Sequence, residues 1–315
     1  MMRKVGLGTA EVMVSDMCLG ALPFGTSVNR QDAFRMLDMY VDAGGSFIDT
    51  ANMYSHWLPG GRGGDSEEML GEWLRARGSR GDLFIASKVG FDYPGVKTGL
   101  SAVQIKAECD KSLRRLGVDC LDLYYAHTDD RVTPAEETLR AFDALVRAGK
   151  VRYLGASNYR AWRLERFNAL AEREGLASYC CIQQRYTYLR PHTGADFGRQ
   201  VATNDDLLDW VARTGSRLLA YTPTLTGHYA KPGAELPAQY RGPDSEARMA
   251  ALQQVAAEVG AAPIQVVYAW MRHSEPAVIP LVAATRVEHM AQNLAACEIA
   301  LTAEQMARLD GAASA

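Results

Sequence analysis

Eight apolar runs of four to seven residues alternate with amphipathic stretches along this chain, and that alternation constrains its fold more than any other feature. The runs are residues 17–22, 46–49, 83–87, 120–126, 151–156, 179–183, 217–221 and 277–281. They are apolar at nearly every position, as parallel strands buried on both faces should be. Helix candidates lie between them at 31–43, 66–76, 101–116, 134–148, 159–174, 204–213 and 244–260, and the tail adds 287–295 and 302–311. Ser66, followed by Glu67 and Glu68, and Thr133 before Pro134 are the expected caps of two of these helices. Repeated β-α units with right-handed crossovers predict an α/β fold, a (β/α)8 TIM barrel. A β-hairpin from 3–7 and 11–14, turning at Gly8-Thr9-Ala10, precedes the barrel. The expected organisation is a single domain over residues 1–315, with extra C-terminal helices.

Three loops are longer than this architecture requires: 54–65, 186–203 and 222–243. Each follows a predicted strand, which places it at the C-terminal mouth where barrel active sites lie. The third carries Gly227, Gly233 and Gly242 as hinges and few large apolar residues, and is expected to act as a mobile lid.

Bulk properties narrow the partners. The net charge of −3 gives no electrostatic reason to expect nucleic acid or an anionic membrane as partner. No long apolar run and no secretory-type N-terminus occurs, so a cytoplasmic location is expected. The six cysteines, at 18, 109, 120, 180, 181 and 297, form no Cys-x-x-Cys pair and suit buried reduced thiols. The six histidines show no ligand spacing, so no metal site is expected.

Reactive groups stand at the strand ends. Asp49 ends the second strand, with Tyr54 five residues on. Lys88 lies 39 residues beyond Asp49, and His127 lies 39 beyond Lys88. One β-α unit per step would bring all four to one mouth. A tyrosine beside a lysine is a proton donor for a carbonyl, because a neighbouring ammonium favours phenolate and lowers a pKa that is otherwise near 10.

The segment Phe47-Ile48-Asp49-Thr50-Ala51-Asn52-Met53-Tyr54-Ser55 resembles the signature of the aldo-keto reductase superfamily. Lys88 in Ala-Ser-Lys and His127 after Leu-Tyr-Tyr-Ala match its other catalytic positions. Residues 150–159, Gln183-Gln184-Arg185-Tyr186, Tyr221-Thr222-Pro223 and Val278-Ile279-Pro280-Leu281 extend the resemblance almost end to end. His127 is followed by Thr128-Asp129-Asp130 where the family usually has Pro before the acid. Ala283 stands where the family has Gly or Lys, and Ala21 where many members have Thr.

The resemblance implies reduction of an aldehyde or ketone with NADPH. Asp49 would hold Lys88, Lys88 would tune Tyr54, Tyr54 would protonate the carbonyl, and His127 would orient it. An extended nicotinamide cofactor would cross the mouth, with Gly20 and Asp49 beside it. Ser157, Asn158 and Gln183 would bind its carboxamide. Tyr221 would stack on its ring, and the backbone of Thr222, Pro223, Leu225 and Gly227 would meet its pyrophosphate. Thr285, Arg286, His289 and Asn293 would hold the adenosine end, with Arg286 or His289 reading a 2′-phosphate.

Simpler readings stay open: Ser157-Asn158 as a helix cap, Tyr221 and His127 as packed core residues, Arg286 as a solvated helix-start charge. Phe24, His56, Trp57, Phe91 and Tyr93 lie past strand ends and are expected to line a substrate pocket, Phe24 and Trp57 foremost. Such walls suit sugars, aryl aldehydes or small ketones alike. Two rival functions remain: a regulatory protein of this fold that senses the cofactor, and a Schiff-base lyase using Lys88. The oligomeric state is not legible.

Overall fold

The computed structural model describes residues 1–78, 80–231 and 233–313. A two-stranded antiparallel hairpin, β1 (Lys4–Gly6) and β2 (Met13–Ser15), opens the chain. Eight parallel strands follow: β3 (Cys18–Gly20), β4 (Phe47–Asp49), β5 (Phe84–Val89), β6 (Leu121–Ala126), β7 (Val151–Ser157), β8 (Tyr179–Arg185), β9 (Arg217–Tyr221) and β10 (Val278–Val282). They close in sequence order, β10 pairing with β3, into the expected barrel.

Two apolar cores result. The inner one contains Cys18, Phe47, Phe84, Ala86, Leu123, Tyr125, Cys181 and Leu219, and the hairpin's Leu7 and Val14 plug it. Gly8 is required in that plug: its φ is +61°, and a Cβ there would fall 1.9 Å from the Cys180 carbonyl oxygen. The larger core lies between the strands and the helices α1 (Arg30–Asp42), α2 (Asp65–Arg77), α3 (Ala102–Leu116), α4 (Ala135–Arg147), α5 (Ala161–Glu174) and α6 (Asp205–Thr214).

The β9–β10 connection carries two helices, α7 (Pro243–Glu258) and α8 (Pro263–His273), where the sequence reading placed one. Helix α8 buries eight of its eleven residues, from Ile264 to Arg272. Its part-exposed positions, Pro263, Gln265 and His273, sit toward its ends, and residues 266–271 between them are an unbroken apolar run that suits strand or helix alike. Helix α9 (Val287–Leu294) follows β10 and packs beside α1, closing the ring, and α10 (Ala303–Gly311) ends the chain.

Neither expected cap is used. Gly64 and Pro134 occupy the N-cap positions of α2 and α4 without side-chain caps. The Ser66 hydroxyl is committed instead to the Ala21 carbonyl at 2.7 Å and to Thr50 Oγ1 at 2.8 Å. Among the described residues no helix is long and apolar enough to cross a membrane. All six cysteines are free thiols.

The long loop after β9 forms two short 3₁₀ turns, Leu225–Ala230 and Ala238–Tyr240. Its first half is docked: Leu225 and Tyr229 are buried, the Tyr229 hydroxyl meets Thr187 Oγ1 at 2.6 Å and accepts from Leu189 N–H. Residues 233–235 are exposed.

Candidate active site

Strand geometry aims the site. Side chains alternate between the two faces of a strand. Phe47, Ala86, Leu123 and Tyr125 point into the barrel, so the same parity turns Asp49, Lys88 and the residue following β6, His127, inward at the mouth. Ser157, Gln183 and Tyr221 share the inward parity of Gly155, Cys181 and Leu219 on their own strands.

These side chains meet. Lys88 has no accessible surface, and its ammonium uses all three hydrogens. It donates to Asp49 Oδ1, to the Thr50 carbonyl at 2.8 Å and to the Tyr54 hydroxyl at 2.8 Å. Gln183 Nε2 donates to the other Asp49 oxygen at 2.8 Å. The His127 ring lies edge-on to Tyr54, with centroids 6.0 Å apart, and its Nδ1 is buried without a partner.

Burial sets the electrostatics. It pushes the Asp49 carboxyl up, against the pull of Lys88 and Gln183. On Lys88 burial favours the neutral amine, but the Asp49 carboxylate and the hydrogen bonds to Asp49 and Tyr54 outweigh it and hold the lysine protonated. A fully bonded ammonium has no lone pair for a Schiff base, so the lyase role gains no support. For Tyr54 burial is the largest influence and raises the phenol pKa above its ordinary value, with Lys88 only partly offsetting it. Burial thus holds the Tyr54 phenol above its ordinary value, against the expected lowering. Burial and the Lys88 charge both depress His127, well below the ordinary imidazole value, so it is neutral.

A buried polar wall supports the loop from Asp49 to Tyr54, and the sequence reading missed it. Asn52 Nδ2 donates to Glu108 Oε2 at 2.7 Å, which also accepts from the Tyr93 hydroxyl at 2.6 Å. Glu67 is fully buried, accepting from Ser87 at 2.5 Å and from Arg115 at 3.0 Å. Glu67 reads in sequence as a first-turn helix acid. The signal that could have distinguished it is its position two residues past the end of the 54–65 loop, on the face turned toward β5.

The predicted cofactor residues are spread around the mouth. Gly20 ends β3 in register with Asp49. Ser157 and Gln183 are buried, while Tyr221 is half-buried and donates its hydroxyl to Asn158 Oδ1 at 2.7 Å. Asn158 has φ of +61°. Its Nδ2 meets the His127 carbonyl at 2.9 Å and Ser157 Oγ at 3.1 Å, and its Oδ1 also accepts from Val201 N–H at 3.1 Å. This amide is fully used, tying three loops together. Thr222, Leu225 and Thr226 also have positive φ, at 55°, 47° and 53°. Non-glycine residues in that region cost about 1–3 kcal/mol each, and they cluster at ligand clamps. Pro223 and Leu225 are buried, and Gly227 is partly open. After β10, the neighbour of β9, Thr285, Arg286 and His289 are exposed, and Asn293 is buried with Nδ2 on the Ala283 carbonyl at 3.2 Å.

The expected substrate wall needs correction. Phe24 has no accessible surface: it is sealed in the outer core with Ala21 and Val28 and lines nothing at the mouth. Tyr93 faces the Glu108 cluster. Trp57 remains, 47% exposed and edge-on to Tyr54 with centroids 6.1 Å apart, with His56 beside it. Phe91 packs edge-on against His127 at 4.7 Å.

A closed eight-stranded parallel barrel holding a buried Asp-Lys-Tyr cluster with a neutral histidine defines a class of oxidoreductase. The sequence profile of the Aldo/keto reductase family matches residues 16–314, and the chain belongs to that family. Among curated relatives it is 31% identical to aldo-keto reductase str7 of Strobilurus tenacellus, over 97% of this chain and 89% of that protein. It is 30% identical to the oxidoreductase YrpG of Bacillus subtilis, over 96% and 94%, and 29% identical to norsolorinic acid reductase A of Aspergillus parasiticus, over 96% and 79%. The protein is accordingly an oxidoreductase of the kind that acts on carbonyls.

Proposed function

We propose that the protein reduces an aldehyde or ketone to the alcohol with NADPH, using Tyr54 as proton donor. One observation carries the reading: Lys88, protonated and fully buried, bridges Asp49 and the Tyr54 hydroxyl beside a neutral His127. A bound nicotinamide cofactor would supply the hydride for the carbonyl carbon. Tyr54 gives its hydroxyl proton to the carbonyl oxygen, and the Lys88 ammonium stabilises the phenolate that remains. The burial that raises the phenol pKa keeps the proton on Tyr54 until it is needed. His127, neutral and with Nδ1 unpaired, orients the carbonyl by hydrogen bond. Asp49, fixed by Gln183, holds Lys88 in place.

The chain fits an extended dinucleotide. Tyr221 offers a half-buried ring at the mouth, and Ser157 and Gln183 turn polar groups inward nearby. The left-handed residues Thr222, Leu225, Thr226 and Gly227 would meet the pyrophosphate. Arg286 is exposed and pairs with no carboxylate among the described residues, which suits a 2′-phosphate and a preference for NADPH over NADH. Phosphate there would also meet the N-terminal N–H groups of α9. Trp57, His56 and Phe91 would be the aromatic walls for the substrate, a small-molecule carbonyl, and a cytoplasmic reaction is part of this proposal.

The test is NADPH consumption by purified protein across sugars, aryl aldehydes and ketones. Turnover of at least one class is expected. Tight NADPH binding with no oxidation on any reactive aldehyde would favour the cofactor-sensing role instead.

A further inference from the structure

A second concavity lies beside the mouth. A groove of about 710 Å3 runs between the loops that follow β5 and β6 and the turn at 198–201. It shares a wall with the catalytic centre. Thr128, next in the chain after His127, lines it, as does Asn158, whose amide holds the His127 carbonyl at 2.9 Å. Phe91, packed on the His127 ring, begins the loop that carries Lys97 and Thr98 into the groove.

The groove's charge is unbalanced. Four cations line it, Lys97, Arg131, Arg160 and Arg199, against the carboxylates of Asp129 and Asp130. Both carboxylates are already used. Asp129 takes the Arg163 guanidinium through Nε at 3.0 Å and Nη2 at 2.6 Å, and also pairs with Arg131 at 3.1 Å. Asp130 accepts from the N–H groups of Leu100, Val132 and Thr133 and from the Thr133 hydroxyl. Arg199 is used in turn, on Asp92 and Thr98. Lys97 and Arg160 are left exposed, with no carboxylate in ion-pair reach among the described residues.

We propose that this groove receives the anionic end of the substrate, so that the preferred carbonyl compounds carry a carboxylate remote from the reacting carbon. The inference rests on the carbonyl-reductase reading above and names its substrate class. An anion entering the groove does not compete with Asp129 or Asp130, whose oxygens already have donors. It meets one guanidinium fork and one ammonium in a cleft of predominantly positive sign, which concentrates the field. A neutral aldehyde gains nothing there.

The experiment compares 4-nitrobenzaldehyde with 4-carboxybenzaldehyde and the longer 4-(4-formylphenoxy)butanoate, using NADPH oxidation by the wild type and by the double variant Lys97→Gln/Arg160→Gln. The double variant should lose about tenfold in kcat/KM on whichever carboxylated probe spans the gap, as expected for one or two exposed charged hydrogen bonds. It should leave the neutral aldehyde unchanged. With NADPH saturating, raising the ionic strength should slow the wild type on that carboxylated probe alone. Turnover of the neutral aldehyde with the same wild-type-to-variant ratio on all three probes, and no selective salt effect, would overturn the groove proposal while leaving the carbonyl-reductase reading intact. No turnover of any probe by the wild type would overturn that reading, and this inference with it.

Discussion

Lys88 has no accessible surface and no hydrogen without an acceptor, whereas Arg286, on the same rim of the barrel, is exposed and has no ion-pair partner among the described residues. The first is a finished cluster. Its charges are desolvated, so each depends on its neighbours, and removing one disturbs chemistry and fold together. The second is an open one. Its charge is solvated, contributes little to the fold and is free to meet a ligand. The contrast separates the side chains that carry out the reaction from those that select what enters it.

Replacing Tyr54 tests the cluster most directly. Tyr54→Phe removes the proton donor and keeps the ring beside Trp57, so kcat should fall by roughly 10²–10⁴-fold with NADPH binding nearly intact. Retention of more than about a tenth of kcat would remove Tyr54 from the donor role.

Lys88→Met should cost activity and stability together, because it strands the Asp49 carboxylate in a dry barrel at a cost of about 3–5 kcal/mol. Adding Asn at position 49 should return most of the stability and none of the turnover. Urea unfolding of the single and double variants reads this, and an unchanged midpoint for Lys88→Met would show that the pair is not the closed unit described here.

Arg286→Ala tests the open region. Only NADPH carries the 2′-phosphate, so about a tenfold loss of affinity is expected for NADPH, an exposed charged hydrogen bond, and none for NADH. Equal weakening of both cofactors would mean that Arg286 acts on the folding of its segment, and no loss on either would leave His289 or the α9 N–H groups as the phosphate contact.

The smallest effect is in pH. His127 is depressed in the folded protein and ordinary, near 6.5, when unfolded. A depressed imidazole favours folding above the unfolded value, and that contribution is lost as pH falls below about 6.5, with a slope of at most about 1.4 kcal/mol per pH unit from this group. His127→Gln should flatten stability against pH over that interval. An unaltered slope would show that His127 is not held neutral by its surroundings.

The barrel was legible because a parallel strand buried on both faces is a short apolar run, and eight of them recur with helical stretches between. Helix α8 was harder to read: its residues 266–271 form an unbroken apolar run, which by pattern alone suits strand or helix. Asp49, Tyr54, Lys88 and His127 were readable as reactive types at strand ends, and the structure brings all four to one mouth. Phe24 was misplaced, because position after a strand does not say whether a ring turns to the mouth or into the outer core. Glu67 and Glu108 were missed because their partners, Ser87, Arg115 and Asn52, lie 20 to 56 residues away in sequence.

By itself the sequence determined the barrel, the end of it that carries the chemistry and the four side chains aimed there, since strand parity and the length of a β-α unit are local properties. Only the tertiary structure decided that burial outweighs Lys88 at the Tyr54 hydroxyl, that Asn158 is bound up in loop contacts and that Lys97, Arg160 and Arg286 are left unpaired. Desolvation and the saturation of donors and acceptors are sums over every neighbour in space, and those neighbours come from strands and loops far apart along the chain.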